Sequence, residues 1–148
     1  MPVRPITVAD VPAVMALERE SPAASHWSPQ HYEDLFREPD VRRLVLVIED
    51  QNRILGFVAA RSVETDCEIE NIVVSAPSRK QGLGTQLVSE LLNLVQDEGA
   101  AAAFLEVRES NRPARAFYEK LRFTESGRRP RYYRQPEEDA ITYRRALK

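Results

Sequence analysis

A short basic segment with two closely spaced glycines has the composition of an anion-binding loop. It reads Arg79-Lys80-Gln81-Gly82-Leu83-Gly84 and stands between an apolar run, Ile72-Val73-Val74, and a long amphipathic helix pattern. Glycine lets backbone N–H groups close on a ligand, and a helix N-terminus adds unpaired donors and the positive end of its dipole. The segment is either a phosphate cradle or a tight turn. It lacks the third glycine of a dinucleotide-binding loop and the Gly-Lys-Ser/Thr of a P-loop.

Three polar residues farther along the chain could do acid–base chemistry beside this loop. Glu106 lies near the end of a predicted strand, Asn111 begins a predicted helix, and Tyr118 follows two helical turns later on roughly the same face. A carboxylate can take a proton from an attacking amine, and a hydroxyl can give one to a leaving group. Each residue also has a structural explanation, as a solvated strand residue, a helix cap and a core tyrosine. Their combination with the glycine loop favours a catalytic site.

The elements that must position these residues follow the order βααβββαβαββ, which is typical of an α+β domain. No repeat, low-complexity segment or long linker divides residues 1–148, so we expect a single domain. Thr7, Ser28 and Asn111 are the expected N-terminal caps of three helices. The expected strands are 3–6, 44–48, 54–60, 67–75, 102–107, a short stretch near 132, and 140–143, and the expected helices are 7–20, 29–38, 83–98 and 111–121.

Composition limits the classes of protein that this chain can be. With 148 residues, 43% hydrophobic residues and a net charge of −2, the sequence predicts a globular domain and argues against a surface devoted to nucleic acid. Apolar runs are too short for a membrane span, and the N-terminus lacks a secretory h-region. Cys67 is the only cysteine, and His26 and His31 lack companions, so we expect no disulfide and no metal site. A reducing cytoplasm is the simplest location.

The glycine segment resembles the pyrophosphate loop of the GNAT acetyltransferase superfamily, whose pattern is Arg/Gln-x-x-Gly-x-Gly. Residues 105–111 (LEVRESN), with Ala114 and the sequence Tyr118-Glu119-Lys120-Leu121 beyond them, resemble the RimI branch of that superfamily. Enzymes of this branch acetylate the N-terminal alanine of a ribosomal protein. Other segments extend the resemblance over residues 6–146: His26-Trp27-Ser28, Asn71-Ile72-Val73-Val74, and Tyr132-Tyr133 followed by Glu138-Asp139-Ala140.

This resemblance implies a fold, a co-substrate and a set of site residues. The implied fold is a three-layer α/β arrangement in which helices flank a mixed, mostly antiparallel sheet. The co-substrate is acetyl-CoA, and the partner is a protein N-terminus, with no direct contact to nucleic acid or membrane. The implied residues are Glu106 and Tyr118 for catalysis; Ile72, Val73, Val74, Arg79, Lys80, Gln81, Gly82, Leu83, Gly84, Thr85, Asn111 and Tyr118 for acetyl-CoA; and Trp27, Tyr132 and Tyr133 for the acceptor.

Amine chemistry gives the two catalytic candidates separate roles. An α-amino group has an ordinary pKa of about 7.7–8.0 and a lysine amine one of about 10.4. An N-terminal amine therefore needs only one carboxylate as a base, and Glu106 is the candidate. Tyr118 is the candidate acid for the departing thiolate. A backbone N–H at Val73 or Val74 could stabilise the developing oxyanion.

Two other functions remain open on the sequence alone. The acceptor could be a lysine side chain, which needs stronger deprotonation, or a small amine, which would favour a closed acidic pocket. No dense acidic run is present to build that pocket. The chain could also be a non-catalytic acyl-CoA-binding module, in which case Glu106 and Tyr118 would have no activity to support.

Three local features bear on the details of the site. The cluster Arg128, Arg129, Arg131 and Arg134 surrounds Tyr132-Tyr133 and is either a solvated loop or a contact surface for substrate or an acidic partner. Thr85 stands where many relatives carry arginine, which removes one phosphate contact. Arg122 stands where the family usually has glycine after a helix, so we expect either backbone strain of about 1 kcal/mol or a different helix end.

Overall fold

The computed structural model describes residues 2–21, 29–37 and 43–147, which form a seven-stranded sheet with helices on both faces. The strands are β1 (Val3–Pro5), β2 (Arg43–Asp50), β3 (Arg53–Val63), β4 (Asp66–Val74), β5 (Ala102–Arg108), β6 (Thr124–Tyr133) and β7 (Glu138–Ala146). The helices are α1 (Val11–Arg19), α2 (Pro29–Arg37), α3 (Leu83–Asp97) and α4 (Arg112–Lys120), with single 3₁₀ turns at Val8–Asp10 and Ala76–Ser78. The predicted order of strands and helices is confirmed.

The last two strands are longer than the sequence pattern predicts. Strand β6 was expected only near Tyr132, yet it runs from Thr124 to Tyr133 and pairs antiparallel with β7. Nearly every residue of β6 is exposed, because it is the edge strand of the sheet. It therefore lacks the apolar alternation that identifies a half-buried strand.

The sheet is antiparallel except at its centre. Its order is β1-β2-β3-β4-β5-β7-β6, and β4 and β5 form the only parallel pair among the described strands. Their pairing covers just three Cα partners, from Asp66↔Ala102 to Glu68↔Phe104. Beyond that point the register of β4 against β3 shifts, so that Glu70 becomes the extra residue of a β-bulge. The C-terminal halves of β4 and β5 therefore separate and leave a gap in the middle of the sheet.

Two apolar clusters cover the two faces of the sheet. The larger one joins α3 and α4 to the sheet and includes Leu87, Leu105 and Val107. The smaller one joins α1 and α2 to the opposite face and includes Val14, Tyr32 and Val73. Because side chains alternate along a strand, Glu106 points to the α1/α2 face while its neighbours point to the α3/α4 face.

An ion-pair network fixes the start of the chain. The Asp10 carboxylate accepts hydrogen bonds from Arg4 at 2.7 and 3.0 Å. It also accepts one from the Thr7 backbone N–H at 2.7 Å, which is the bond that the expected capping box requires. Arg4 also donates to Glu49 on β2 at 2.8 Å. The Arg4 guanidinium lowers the pKa of Asp10 to about 2.

This network predicts a loss of stability in acid. A carboxyl with a depressed pKa in the folded state stabilises the fold above its unfolded pKa, and the contribution disappears as pH falls through the folded pKa. We expect the free energy of unfolding to fall between about pH 4 and pH 2, and Asp10→Asn to remove part of that dependence. Urea titrations at stepped pH measure this. An equally steep pH dependence in the variant would contradict it.

Of the two outcomes expected at Arg122, backbone strain or a different helix end, the structure shows a left-handed backbone. Its φ is 70°, and it stands two residues after the end of α4. The substitution Arg122→Gly relieves about 1 kcal/mol of backbone strain. Glycine also has more conformational freedom in the unfolded chain, which offsets part of this gain. We therefore expect the free energy of unfolding to rise by about 0.5 kcal/mol. The matched control is Lys120→Gly inside α4, which should lower it by up to about 1 kcal/mol. Equal losses in both variants would show that Arg122 is not strained.

Candidate active site

A cleft of about 760 Å³ occupies the gap between β4 and β5. It receives side chains from both strands, from α4 and from β6. Eight residues singled out in the sequence line it: Ile72, Val73, Val74, Arg79, Glu106, Asn111, Tyr118 and Tyr133. The remaining lining residues are Ser21, Ile69, Glu70, Asn71, Leu105, Val107, Arg108, Pro113 and Ala114.

Along one edge of β4, backbone groups point towards the cleft and away from β3. The Ser75 N–H donates to Leu55 O on β3 at 2.8 Å, and hydrogen-bonding residues alternate along an antiparallel ladder. Val73 therefore directs its N–H and C=O at β3, whereas Val74 directs its own away from β3. The Arg79 Nε accordingly donates to Val74 O at 3.1 Å. Of the two candidate oxyanion donors, only the Val74 N–H lies on the side of the cleft.

The glycine loop ends in the first turn of α3. Gly82 has φ 78° and is the N-cap residue, and Lys80 before it has φ 66°. The first helical bond runs from the Gln86 N–H to Gly82 O, so the N–H groups of Leu83, Gly84 and Thr85 have no intrahelical acceptor. The side chains of Lys80, Gln81 and Thr85 are exposed, while Leu83 is buried in the core. The loop adjoins the cleft at Arg79, and residues 80–85 do not line it.

Gly84 is required for a different reason from Gly82. A Cβ built on Gly84 would lie 3.3 Å from the Phe117 ring of α4, whereas a Cβ on Gly82 would meet nothing within 4 Å. Gly82 thus supplies a left-handed turn, and Gly84 allows α3 and α4 to approach each other.

Glu106 and Tyr118 reach the cleft from opposite faces of the sheet. The Glu106 side chain is 11% exposed, and its Oε2 lies 2.7 Å from Arg129 Nε. Tyr118 is 5% exposed and its ring packs edge-on against Phe117 and Phe123, with centroids 5.0 and 5.6 Å away. Burial raises the pKa of the Tyr118 phenol above its ordinary value, which keeps the proton on its oxygen. A carboxylate and a phenol therefore line the same cleft.

Asn111 is a helix cap, as its position predicted. The Ala114 N–H donates to Asn111 Oδ1 at 3.3 Å at the start of α4. This contact uses the amide oxygen. The side chain also lines the cleft, so its NH₂ group remains a possible donor there.

The paired tyrosines take different positions. Tyr133 lines the cleft, and the Arg108 guanidinium lies 4.4 Å from its ring centroid. Tyr132 is 49% exposed, packs edge-on against Tyr133 at 5.1 Å, and stands outside the lining. Burial, followed by the charge of Glu106, raises the pKa of Tyr133. Trp27, the third predicted acceptor contact, lies outside the described residues.

Comparison with known proteins identifies the family. The sequence signature of the Acetyltransferase (GNAT) family matches residues 11–123. The chain belongs to the GNAT acetyltransferase family. It is similar to the [ribosomal protein bS18]-alanine N-acetyltransferase of Salmonella typhimurium, with 31% identity over 138 residues. The match covers 92% of this chain and 90% of that relative.

Solved structures agree with this assignment. The crystal structure of the ribosomal-protein-S18-alanine N-acetyltransferase from Escherichia coli has a TM-score of 0.84 and 28% identity, covering 99% of this chain and 93% of that one. An aminoglycoside 6'-N-acetyltransferase complexed with coenzyme A has a TM-score of 0.81 over 100% and 98% of the two chains. Its 17% identity shows a common fold alone. This protein is thus an acetyl-CoA-dependent N-acetyltransferase.

The arginines beside the paired tyrosines anchor the β6–β7 hairpin of the acetyltransferase. Arg108 at the end of β5 donates to the Pro136 and Arg134 carbonyls at 3.0 and 3.2 Å and to Glu138 at 3.2 Å. Arg128 contacts Glu109 and Asp139, each at 2.7 Å. The other arginines of the cluster are more exposed: the Arg131 side chain, on β6, is 84% exposed and pairs with Glu137 at 3.3 Å, and Arg134 is exposed in the turn that follows β6.

Sequence reasoning missed several residues of the acetyltransferase cleft. Glu70 lies at the bulge of β4, where Arg43 Nε is 3.3 Å away, and burial raises the pKa of its carboxyl. The strand also carries Asp66, Glu68 and Asn71, so residue type alone does not single out Glu70. Arg108 stood within the quoted family segment, yet only the fold reveals its contact with Tyr133. In the described parts of the chain, no cluster of three or more His, Cys, Asp or Glu side chains could hold a metal ion, and no helix could span a membrane.

Proposed function

We propose that this acetyltransferase acts on the α-amino group of a protein N-terminus, with the N-terminal alanine of a ribosomal protein as its acceptor. One observation carries the mechanism: Glu106 and Tyr118 line one cleft from opposite faces of the sheet. The acceptor rests on relatives, because the Salmonella typhimurium protein is named a [ribosomal protein bS18]-alanine N-acetyltransferase. We further propose that residues 1–148 form one domain and that the reaction takes place in the cytoplasm, where ribosomal proteins are made.

Backbone donors hold the donor substrate in this proposal. The pyrophosphate of acetyl-CoA binds the free N–H groups at the start of α3, from Gln81 to Thr85, with charge from Arg79 and Lys80. Gly82 keeps this approach open, since a side chain would project into the space above it. The amide groups of the pantetheine arm pair with the edge of β4 that faces the cleft, at Ile72, in the manner of an added strand. The Asn111 amide NH₂ contributes a further hydrogen bond.

The acceptor amine approaches from the α1/α2 face. There Glu106 takes its proton, directly or through one water molecule, so that the lone pair can attack the acetyl carbonyl. Tyr133 forms one wall of the acceptor site and Tyr132 contributes to its rim. Trp27 is a further acceptor contact on the strength of the family resemblance alone. This arrangement keeps the amine and the thioester on opposite sides of the sheet until they meet in the gap.

The leaving thiolate receives its proton from Tyr118 on the α3/α4 face. The phenol remains protonated at neutral pH because burial raises its pKa. The Val74 N–H, on the free edge of β4, stabilises the negative charge that develops on the carbonyl oxygen. No covalent acyl-enzyme is needed, and burial raises the pKa of the Cys67 thiol to about 11, which makes it a poor nucleophile.

A panel of acceptors tests this proposal. Release of CoA thiol is measured with peptides that begin with alanine, peptides with a blocked N-terminus and an internal lysine, and a small polyamine. We expect turnover with the alanine peptides and none with the blocked peptides. Turnover confined to lysine or to the polyamine would reject the acceptor, and acetyl-CoA binding without any turnover would favour a non-catalytic binding module.

A further inference from the structure

Arg129 is the charged side chain in contact with Glu106 within the described ranges. Its Nε lies 2.7 Å from Glu106 Oε2. The two ends of this pair have different environments, because the Glu106 side chain is 11% exposed and that of Arg129 is 61% exposed. The pair therefore runs from the interior of the cleft to the surface of the hairpin.

The outer side of Arg129 faces an aromatic ring. Its guanidinium carbon lies 5.2 Å from the centroid of Tyr132, which is half-exposed at the rim. A planar guanidinium can stack on such a ring while it also contacts a carboxylate, whereas a lysine ammonium is a point charge. Arg129 thus connects the buried carboxylate to the exposed aromatic residue beside the cleft.

The hairpin that carries Arg129 is held by other contacts. Arg129 itself pairs with Ala140 on β7, and Arg128 next to it is bound to Glu109 and Asp139. The position of the backbone therefore does not depend on the contact with Glu106. Glu106 Oε2, in contrast, is buried and receives no well-aligned hydrogen bond from the described residues. Its orientation depends on the ion pair.

We propose that Arg129 is a positioning residue that holds the Glu106 carboxylate towards the acceptor amine and couples it to Tyr132 at the rim. This inference rests on the proposed role of Glu106 as the base. Without Arg129, the carboxylate loses its counter-ion and can rotate away from the amine. The acetyl-CoA site is formed by other elements and is unaffected.

The test replaces Arg129 by glutamine and by lysine. The Glu106–Arg129 pair has one buried and one exposed partner, so its strength lies between that of a surface and that of a buried ion pair. We therefore expect Arg129→Gln to lower kcat for a peptide with N-terminal alanine about tenfold. The KM for acetyl-CoA should not change, because other elements form that site. Arg129→Lys should recover part of the rate, because it restores the charge without the planar contact to Tyr132. The matched control is Arg131→Gln, whose side chain is 84% exposed and pairs with Glu137 at 3.3 Å.

A double-mutant cycle decides whether Arg129 acts through Glu106. We expect Arg129→Gln to cause no further loss in the Glu106→Gln background. Suppose that the wild type and Glu106→Gln both behave as proposed. The inference alone then fails if Arg129→Gln lowers kcat by the same factor in both backgrounds, or if Arg131→Gln lowers kcat as much as Arg129→Gln does. Absence of N-terminal acetylation by the wild type, or a Glu106→Gln variant at full rate, would overturn the proposed function and this inference together.

Discussion

Replacing Glu106 by glutamine lowers kcat/KM for a peptide with N-terminal alanine by about 10²–10³-fold, within the usual contribution of a general base. Glutamine has nearly the same shape and can keep a contact with Arg129, but its amide cannot accept the proton of the amine. The KM for acetyl-CoA is unchanged, because Glu106 lies on the α1/α2 face, away from the glycine loop. Initial rates of thiol release at saturating acetyl-CoA measure the effect.

The matched control for this variant is Glu137→Gln. Glu137 lies in the turn between β6 and β7, and its side chain is 62% exposed. The substitution removes the same charge near the cleft, and an exposed ion pair contributes little, so we expect a rate within about twofold of wild type. A Glu106→Gln enzyme that is as fast as this control would show that another group accepts the proton.

Replacing Tyr118 by phenylalanine lowers kcat about 100-fold, at the lower end of the range for proton transfer. The lower end is expected because a thiolate is a moderately stable anion, with an ordinary thiol pKa of about 8.5. The ring contacts with Phe117 and Phe123 persist in the variant, so the thermal midpoint should stay the same. Stopped assays of CoA release and a thermal unfolding scan measure the two quantities.

The pH dependence of this deficit provides a second check. Burial raises the pKa of Tyr118 above its ordinary value of about 10. The phenol therefore stays protonated through the neutral and mildly basic range, and the ratio of wild-type to variant kcat should be constant from about pH 7 to pH 9. A ratio that collapses towards one within this range would mean that Tyr118 loses its proton there. A variant with wild-type kcat would remove Tyr118 from the mechanism.

Features encoded by a few neighbouring residues could be predicted from the sequence. Asn111 before an amphipathic run predicted the cap of α4, and its side chain accepts the Ala114 N–H. Gly82 before a helix pattern predicted a turn or loop that uses the conformational freedom of glycine, and its φ is 78°. For Arg122 the sequence left two outcomes, a left-handed backbone or a different helix end, and its φ of 70° shows the first. In each case the physical cause lies within one helical turn of the residue.

Features that depend on distant parts of the chain could not be predicted from the sequence. The cleft exists because β4 bulges at Glu70 and stops pairing with β5 after Glu68, and neither event leaves a local signal. The contact between Glu106 and Arg129 joins strands β5 and β6, which are separated by α4 in the chain and by β7 in the sheet. The length of β6 was missed because an exposed edge strand has no apolar alternation.

The most direct test uses one peptide that offers both kinds of amine. It begins with alanine and carries one internal lysine, and a control peptide has the same sequence with a formylated N-terminus. After incubation with acetyl-CoA and enzyme, fragmentation in a mass spectrometer locates the acetyl group. We predict acetylation of the α-amino group alone in the first peptide and none in the control. Acetyl groups on the lysine of either peptide, with the free N-terminus unmodified, would contradict the proposed function.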